Sequence, residues 1–419
     1  MTKDFFDWIE AHKSDNPADL RLKYAAKKSP EGIDIPLAIL QIECRRKCAR
    51  KLRTTLARFP EFIFPTALSA EQCSSDALAE FHATLIPPNA ETGADLTAGL
   101  GIDALALARQ GLRMTAVDKA PELTHALGIN ADTLPDGRLS AVNADCRQWL
   151  RTEAEQNRKF DVIFIDPARR ASDGKRLFAL GDCAPDVVEM MPLLARTCRR
   201  LIIKASPMLD ITHTIGELTP PGPSRIIAAG TNSECKELIA IVDFPAPDRP
   251  VIIEAATILS AEKCVRFSYT PEDEHSAPPV NPGPGLAPPM YLLEPYPATM
   301  KCGAHRCLAS RFGVYGFDPN TRLYYSPELP VEFPGKCFET IDVQEYTSHN
   351  IKRFARNYPA ISVTTRNFGI GADELRRKLR VREADGSLRL FALTDAQGRK
   401  LLALCKRITS EHNTNANKS

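Results

Sequence analysis

The sequence predicts an α/β protein with a Rossmann-like, seven-stranded sheet, an N-terminal helical domain and small α+β domains at the C-terminus. Three observations lead to this prediction. Helical patterns alone occupy the first 85 residues, strand and helix patterns alternate between about residues 91 and 245, and a proline-rich stretch precedes a mixed final third. Such alternation favours a parallel sheet, because each helix returns the chain to the same edge through a right-handed crossover.

Composition limits the classes of protein to consider. At 419 residues the chain is long enough for roughly two to four domains, and its net charge of +2 excludes a strong overall preference for nucleic acid. The N-terminus, MTKDFFDWIE, is acidic and unlike a signal peptide, and no apolar run is long enough to span a bilayer. We therefore expect a cytoplasmic protein without a membrane segment, and its oligomeric state stays open.

Twelve cysteines are scattered along the chain without the spacing of a disulfide framework. The two tightest groups are Cys44 with Cys48, and Cys302 with His305 and Cys307. Neither group has a second pair of ligands at zinc spacing. We predict ordinary packing for these side chains and no metal site.

Local signals place helices in residues 1–85. Asn16-Pro17 is typical of a helix start, with asparagine as the N-cap and proline in the first turn. Asp34 precedes a helix that we expect to run to residue 58, and Ser69-Ala-Glu-Gln72 has capping-box form before a helix ending near residue 85. No strand pattern intervenes, so this segment is predicted to be a helical domain.

The segment 86–270 is predicted to form the sheet domain. Its expected helices cover residues 102–110, 120–127 and 185–197, and its last two strands form a hairpin around Gly-Thr-Asn-Ser. The expected strands are 94–97, 112–118, 139–143, 160–166, 200–204, 224–229 and 237–244.

The rest of the chain divides into four parts by composition. Residues 271–289 contain seven prolines and are predicted to be a linker or surface loop. Two small α+β segments follow, 290–345 and 346–410, and the polar tail 411–419 is expected to be disordered.

A glycine-rich turn follows the first predicted strand, in the run Asp95-Leu-Thr-Ala-Gly-Leu-Gly-Ile-Asp-Ala104. Gly99 and Gly101 would let the backbone approach a ligand, and the helix N-terminus that follows favours polar or anionic groups. The pattern is formally G-x-G-x-x-A, so it also fits a dinucleotide site, or a tight strand–helix turn without a ligand.

Acidic residues end the next two strands. Asp118 comes about 20 residues after the glycine turn, where a carboxylate can accept hydrogen bonds from ribose hydroxyls; the alternative is a helix cap before Pro121. Asp145 could accept from an adenine amino group, or could cap the helix near Gln148. Both residues therefore have a binding and a structural interpretation.

The fourth strand ends in Asp166-Pro167-Ala-Arg169, on the edge of the sheet where ligands bind. A nicotinamide enzyme has no need of this turn. With it, residues 91–245 resemble a class I S-adenosylmethionine (SAM)-dependent methyltransferase, in which DLTAGLGID is the first motif and DPAR the fourth.

That resemblance implies roles for the matching residues. Asp118 would hold the ribose of SAM and Asp145 its adenine. Asp166 and Pro167 match the start of the (D/N)PP(Y/F) motif, in which the acid and the adjacent carbonyl accept from the target amine; Arg169 stands at the aromatic position and completes the catalytic set. The methionine end of SAM would lie among residues of the first motif: Asp95, Thr97, Gly99, Gly101 and Asp103.

The motif departs from the amino-group pattern at Ala168 and Arg169. A DPxR turn also resembles that of RNA methyltransferases with carbon targets, which add a catalytic cysteine downstream. Cys183 and Cys198 do not follow the fifth strand, so a nitrogen target is favoured. The phrase D-x-T-A-G-x-G-x-D is similar to the first motif of bacterial ribosomal RNA guanine-N2 methyltransferases.

Two basic stretches flank the sheet domain. Residues 44–58 contain seven Lys or Arg and no acid, and residues 351–382 contain nine against Asp373 and Glu374. The second stretch also contains the aromatic residues Phe354, Tyr358 and Phe368. We therefore predict that the two stretches contact RNA phosphates and bases; the alternative is that each is a solvated helix face. The run from residue 363 to 380 resembles the THUMP-like module of bacterial methyltransferases, and this architecture implies a ferredoxin-like segment at 290–345 and a THUMP-like domain at 346–410.

The sequence therefore predicts a SAM-dependent methyltransferase that acts on an amino nitrogen of an RNA base. One alternative is a methyltransferase for a protein or small molecule. Another is a catalytically inactive SAM-fold protein that binds RNA, although Asp118 and Asp166 are retained. An NAD-dependent oxidoreductase is disfavoured by the Asp-Pro turn.

Overall fold

The computed structural model describes residues 1–25, 32–132, 134, 137–169, 179–384 and 386–408. The expected disordered tail, 411–419, lies outside the described residues. Contacts divide the chain into two compact units, residues 1–226 with 237–249, and residues 227–236 with those from Pro250 onward. None of the helices in the described ranges has the length and apolar content needed to cross a membrane.

The first 85 residues are helical, as predicted. The helices are α1 (Lys3–Ala11), α2 (Pro17–Ala25), α3 (Ile35–Cys48), α4 (Arg53–Arg58), α5 (Ala67–Gln72) and α6 (Asp76–Ala83). A buried cluster that includes Phe5, Trp8 and Ile39 holds α1, α2 and α3 together and reaches Ala126 of the sheet domain. The helical segment is therefore packed into the same unit as the sheet.

Two helices expected from the sequence are each broken into two. The helix from Asp34 does not reach Arg58, because the Asp76 carboxylate accepts from the backbone N–H groups of Thr54 and Thr55 and starts a new helix there. The helix expected from Ser69 to Leu85 is also divided, because Ser75 caps a new helix after α5 ends.

The sheet domain alternates strands and helices as predicted. Its strands are β1 (Thr92–Asp95), β2 (Arg113–Asp118), β3 (Leu139–Asn143), β4 (Phe160–Ile165), β5 (Ala168–Arg169), β6 (Cys183–Ala184), β7 (Cys198–Ala205), β8 (Arg225–Gly230) and β9 (Cys235–Asp243). Its helices are α7 (Ile102–Arg109), α8 (Pro121–Ala131), α9 (Cys146–Glu155), α10 (Val187–Thr197) and α11 (Ile211–Glu217). The seven main strands follow the order β3-β2-β1-β4-β7-β9-β8, which is the Rossmann-like sheet expected for this fold class.

Strands β3, β2, β1, β4 and β7 are parallel, and β9 is antiparallel to β7. The carboxyl ends of the parallel strands therefore share one edge, which brings the residues after β1, β2, β3, β4 and β7 together. Because β9 runs the other way, its first residues lie at that same edge.

The second unit contains a hairpin of β10 (Ile252–Ser260) and β11 (Lys263–Tyr269), which lies within the segment 86–270 assigned to the sheet domain. Pro271 does not start a loop; it begins the short helix α12 (Pro271–Ser276), because Thr270 and Asp273 form a capping box around it. Residues 277–290 have no regular structure, although Leu286 is buried.

The two C-terminal α+β segments share one sheet in the second unit. Their elements are β12 (Tyr291–Pro295), α13 (Pro297–Cys302), α14 (His305–Phe312), β13 (Tyr315–Gly316), β14 (Tyr324–Ser326), β15 (Gly335–Glu345), α15 (Ser348–Asn357), β16 (Ser362–Arg366), α16 (Ala372–Leu379), β17 (Leu388–Thr394) and β18 (Lys400–Arg407). The strand order is β13-β14-β12-β15-β18-β17-β16. The long strand β15 pairs with β12 on one side and β18 on the other, so it joins the segments on either side of residue 345.

Candidate active site at the carboxyl edge of the sheet

The glycine turn between β1 and α7 has the geometry of a ligand-binding loop. Gly99 has φ 56° and Gly101 φ 82°, a backbone conformation that favours glycine. A Cβ atom on Gly101 would lie 2.2 Å from Cδ1 of Leu127, so the loop packs tightly against α8 there. A Cβ atom on Gly99 would meet nothing closer than the Thr97 carbonyl at 3.9 Å, so that side of the loop is open.

Asp118, at the end of β2, holds this loop in place. Its Oδ2 accepts from the backbone N–H of Gly99 at 2.9 Å, and its Oδ1 accepts from the N–H of Ala120 at 2.9 Å, just before α8. The carboxylate therefore supports the turn before α8 and also positions the glycine loop. Ribose binding by Asp118 remains a prediction.

Asp145, after β3, is the N-cap of α9. Its Oδ1 accepts from the backbone N–H groups of Arg147 at 3.0 Å and Gln148 at 3.2 Å, which is the structural interpretation that the sequence left open. The residue is exposed at the carboxyl edge of the sheet. Contact with an adenine amino group remains a prediction.

Asp95 and Thr97 connect the glycine loop to the Asp-Pro turn. Asp95 is 2% exposed, and its Oδ1 accepts from the Thr97 N–H at 3.0 Å. Burial, and then the negative charge of Asp103, hold the pKa of Asp95 well above its usual range. Thr97 Oγ1 accepts from the backbone N–H of Asp166 at 2.7 Å, so the first and fourth motifs are in direct contact.

Asp103, in the first turn of α7, points to the N-terminal helices. Its Oδ2 accepts from Ser74 Oγ at 2.6 Å, and its Oδ1 lies 2.7 Å from Nδ1 of His82. Burial would raise the pKa of Asp103, but His82, Lys204 and Ser74 together oppose it and lower the pKa to about 2. The ionised carboxylate is thus bound within the protein, and its expected contact with a cofactor remains a prediction.

Asp166 lies directly after β4 and forms an ion pair that sequence reasoning missed. Its Oδ2 is 2.5 Å from Nζ of Lys204, at the carboxyl end of β7, and its side chain is 40% exposed. Pro167 is buried, and Arg169 lies in β5, paired with Cys183 of β6. The Arg169 side chain and Arg170, which the sequence offers as partners of Asp166, lie outside the described residues.

Lys204 also donates to Ser74 Oγ at 3.2 Å, and its side chain is 14% exposed. Burial would lower the pKa of Lys204, but the carboxylates of Asp166, Asp103 and Glu237 outweigh burial and raise it. The one signal in the sequence is a lysine at the end of the apolar run Leu-Ile-Ile, at the ligand-binding edge.

His82 is fully buried on α6 and bridges two carboxylates. Its Nδ1 lies 2.7 Å from Asp103 Oδ1, and its Nε2 lies 2.6 Å from Glu237 Oε1 at the start of β9. Burial lowers the pKa of His82, but the two carboxylates together raise it to about 10, so both ring nitrogens carry protons near neutral pH. No local pattern in the sequence marks this residue.

Neither of the two cysteines considered from the sequence, Cys183 and Cys198, offers an exposed thiol at this edge. Cys183 is 8% exposed, and Cys198 is fully buried at the opposite, amino end of β7, where burial raises its pKa to about 12. Among the residues that the structure describes, no group of three or more His, Cys, Asp or Glu side chains is arranged to hold a metal ion.

Three segments of the chain match models of known families. Residues 89–180 match conserved hypothetical protein 95, residues 291–334 a ferredoxin-like domain, and residues 335–407 a THUMP domain-like family.

Two known proteins are similar to the chain over very different lengths. A proposed methyltransferase from Porphyromonas gingivalis W83, known from a crystal structure, is 26% identical with a TM-score of 0.85, over 97% of this chain and 98% of that one. Ribosomal RNA small subunit methyltransferase J from Chromobacterium violaceum is 36% identical over 100 residues, which cover 21% of this chain and 37% of the relative. The match thus spans little more than a third of that relative.

These similarities agree with the geometry. The structure contains the sheet order, the glycine loop held by Asp118 and the Asp-Pro turn after β4 on which the resemblance rests, and the second unit contains the segment that matches the THUMP-like family. The chain is therefore similar to SAM-dependent methyltransferases of the class I fold, and its C-terminal segment matches a THUMP domain-like family.

Proposed function

We propose that this protein transfers the methyl group of SAM to an amino nitrogen of an RNA base. The observation that carries the proposal is the Asp166 carboxylate at the end of β4, whose Oδ2 is held by Lys204. No other described residue hydrogen-bonds to that carboxylate, so Oδ1 is available to a substrate N–H. The name of the relative from C. violaceum and the THUMP-like match support RNA as the substrate.

The residues of the first three motifs fit SAM. The open side of Gly99 would admit a ligand, and the ammonium of the methionine end would supply a positive charge near the buried Asp95, opposing the burial that raises the pKa of this carboxyl. Asp118 and Asp145 would bind the ribose and the adenine, and Thr97 and Gly101 would lie beside the cofactor in the loop. Asp103, whose two oxygens are bound by Ser74 and His82, would act indirectly by holding the start of α7. When bound, SAM supplies a methyl group on a positively charged sulfur, which is already reactive toward a nitrogen lone pair.

Catalysis then depends on positioning. Asp166 Oδ1 and the Pro167 carbonyl would accept hydrogen bonds from the target amine and aim its lone pair at the methyl carbon. Arg169 is proposed to contact the substrate, at the position where related motifs have an aromatic residue. Orienting two reactants in this way can supply several kcal/mol, on the order of 7–11 in well-aligned systems.

Mass spectrometry of RNA nucleosides is the direct test of the substrate class. Cells with and without the gene should differ in one methylated base, and a gene encoding Asp166→Ala should not restore it. A methylated protein or metabolite that changes while all RNA nucleosides stay constant would exclude RNA as the substrate and leave the methyltransferase assignment intact.

Replacing Asp118 with alanine should strongly weaken cofactor binding. Wild-type protein should bind SAM with micromolar affinity, about −8 kcal/mol, and the variant would lose both the ribose acceptor and the bond to Gly99. Calorimetry with SAM measures this. Asp132→Ala, an exposed aspartate just after α8, is the matched control and should bind as wild type does. Tight binding of NAD without any SAM signal would contradict the cofactor assignment.

The first basic stretch, 44–58, is only partly available to RNA. Arg45 donates to the carbonyls of Pro60 and Phe62, Lys47 pairs with Glu43 and Glu71, and Arg46 and Lys51 also bind main-chain carbonyls: these four are engaged in packing the helices. Three arginines of the stretch remain exposed without an acidic partner among the described residues: Arg50, Arg53 and Arg58.

In the second stretch, 351–382, the expectation of base stacking was wrong for two of the three aromatic residues, whereas Tyr358 is partly exposed. Phe354 and Phe368 are 5% and 3% exposed, because α15 and α16 close an apolar core over β16 and β17. They are therefore not available to stack on bases. Several cations of the stretch are also neutralised: Arg366 pairs with Glu294, Arg376 with Asp373 and Glu383, and Lys378 with Glu374.

Several exposed cations of the stretch have no acidic partner among the described residues, and four of them lie on α15 or α16 or directly after α16: Lys352, Arg356, Arg377 and Arg380. Changing all four to alanine should weaken RNA binding and flatten its salt dependence, by roughly 0.7 in log–log slope for each lost phosphate contact. Fluorescence anisotropy at several salt concentrations measures both effects. The matched control is the double change of the paired residues Arg376 and Lys378 to alanine, which should have less effect; equal losses in the two variants would contradict a phosphate surface at these four residues.

A further inference from the structure

The strongest feature outside the assigned motifs is a continuous chain of buried polar contacts that ends at Asp166. Asp166 pairs with Lys204, Lys204 donates to Ser74, and Ser74 donates to Asp103. Asp103 then pairs with His82, and His82 with Glu237. The chain connects the end of β4 with β7, α7, α6 and β9.

We propose that Lys204 is a positioning residue for methyl transfer, anchored by Ser74 and Asp103, whose ammonium holds the Asp166 carboxylate with one oxygen toward the substrate amine. The proposal rests on the proposed function, because it assigns a role to the partner of Asp166 in that same reaction.

Register explains why Lys204 can act on Asp166. β4 and β7 are adjacent and parallel, with Ile165 opposite Ile203, so the next residue of each strand emerges side by side at the carboxyl edge. Only one Asp166 oxygen, Oδ2, is used in the pair, at 2.5 Å from Nζ. Ser74 Oγ, 3.2 Å from the same Nζ, limits the rotation of the long lysine side chain.

The charges around the pair explain why a cation is needed. Burial raises the pKa of Asp166, and the negative charges of Asp103 and Glu237 raise it further. The ammonium of Lys204 opposes these effects and lowers the pKa of Asp166. Without this cation, Asp166 would take up a proton at higher pH, and the neutral acid would be a weaker hydrogen-bond acceptor for an amine and could not take its proton. The charged groups that act on Asp166 lie on four elements: Asp95 on β1, Asp103 on α7, Lys204 on β7 and Glu237 on β9. His82 on α6 lies one contact further away, between Asp103 and Glu237.

In the reaction the nitrogen lone pair forms the C–N bond while the methyl C–S bond breaks and its electrons stay on sulfur. The nitrogen becomes cationic and releases one proton, which Asp166 Oδ1 can accept and pass to water. Lys204 takes no part in this transfer and keeps its protons throughout. Its loss should therefore lower kcat more than it changes the affinity for SAM.

The test compares Lys204→Met, Lys204→Gln and Lys204→Arg in the full-length protein, with methyl transfer measured across pH. For Met and Gln we expect kcat to fall about 10- to 100-fold, SAM affinity to change less than about threefold, and the acidic limb of the kcat profile to move to higher pH. The Lys204→Arg variant keeps the positive charge. Its acidic limb should therefore lie at the wild-type pH, and part of kcat should be recovered. Gln keeps hydrogen-bonding capacity, so it remains informative if Met does not fold.

The matched control is Arg200→Met, which breaks the ion pair with Asp243 at the amino end of the same strand. It should leave the acidic limb in place, although it lowers stability. An unchanged limb in the Met and Gln variants, or losses that only follow their melting temperatures, would overturn the proposal. If the wild-type protein methylates no RNA, carboxylate ¹³C NMR can still follow the titration of Asp166 and test the role of Lys204. A higher titration midpoint in the Lys204→Met and Lys204→Gln variants supports that role. An unchanged midpoint overturns it.

Discussion

Changing Asp166 to alanine or asparagine is expected to reduce methyl transfer by about 100-fold or more, roughly 3 kcal/mol, while SAM affinity stays nearly the same. The carboxylate contacts Lys204 through Oδ2, and in the proposed function Oδ1 binds the substrate, so its removal should affect methyl transfer more than SAM binding. The backbone N–H of Asp166, which donates to Thr97, is kept in both variants. Single-turnover kinetics, SAM calorimetry and a melting curve on one preparation measure the three quantities together.

Asp161→Asn is the matched control for this experiment. Asp161 lies at the amino end of the same strand, where its Oδ2 accepts from the backbone N–H groups of Glu91 and Thr92. Its replacement should lower stability and leave the activity of the folded protein unchanged. Full activity in a stable Asp166 variant would remove this residue from the mechanism, whereas activity that declines only with the folded fraction would assign it a structural role.

Replacing His82 with leucine should destabilise the first unit by about 3–5 kcal/mol, because it leaves two buried carboxylates without their shared cation. The side chains of Asp103 and Glu237 are 12% and 3% exposed, and the variant would have no imidazolium between these two carboxylates. His82→Gln keeps hydrogen-bonding groups without the charge and should be destabilised less. The control is His12→Leu on α1, a partly exposed histidine that stacks on Trp8 and should cost under about 1 kcal/mol.

The pH dependence of the His82 effect follows from the direction of its pKa shift. The folded-state pKa is raised to about 10 from an ordinary value of 6.5, so the stabilisation is fully present below pH 6.5 and is lost as pH rises through 10. Urea unfolding at pH 7, 8.5 and 10 should therefore show the gap between wild type and His82→Leu shrinking at the highest pH. A gap that is constant over this range would contradict a charged, bridging imidazolium.

The residues that determine the fold are visible in the sequence, because they act through their neighbours along the chain. Alternating apolar strands and helix starts predicted the seven main strands of the sheet, and Gly99, Gly101, Asp118 and Asp166 were located because each lies at a strand end or in the turn after it. In parallel sheets all strand ends of this kind meet at one edge, so local position along the chain was enough to bring the motifs together.

The surroundings of those motifs were decided by contacts between distant parts of the chain. His82 and Glu237 are 155 positions apart, and Lys204 and Ser74 are 130 apart, so no local pattern could indicate that they lie together. The same is true of Asp76, which ends the long helix expected after Asp34 by capping α4 from another helix.

The charge and burial of individual side chains also depended on the tertiary structure more than on the local sequence. The sequence determined how many basic residues the stretch 351–382 contains, but the tertiary structure decided which of them are neutralised, as Arg366 is by Glu294, 72 positions away. It also decided that Phe354 and Phe368 belong to a core. Hydrophobic period and turn chemistry act over a few residues and can be read along the chain, whereas ion pairing and burial depend on which surfaces the folded chain brings within a few ångströms of each other.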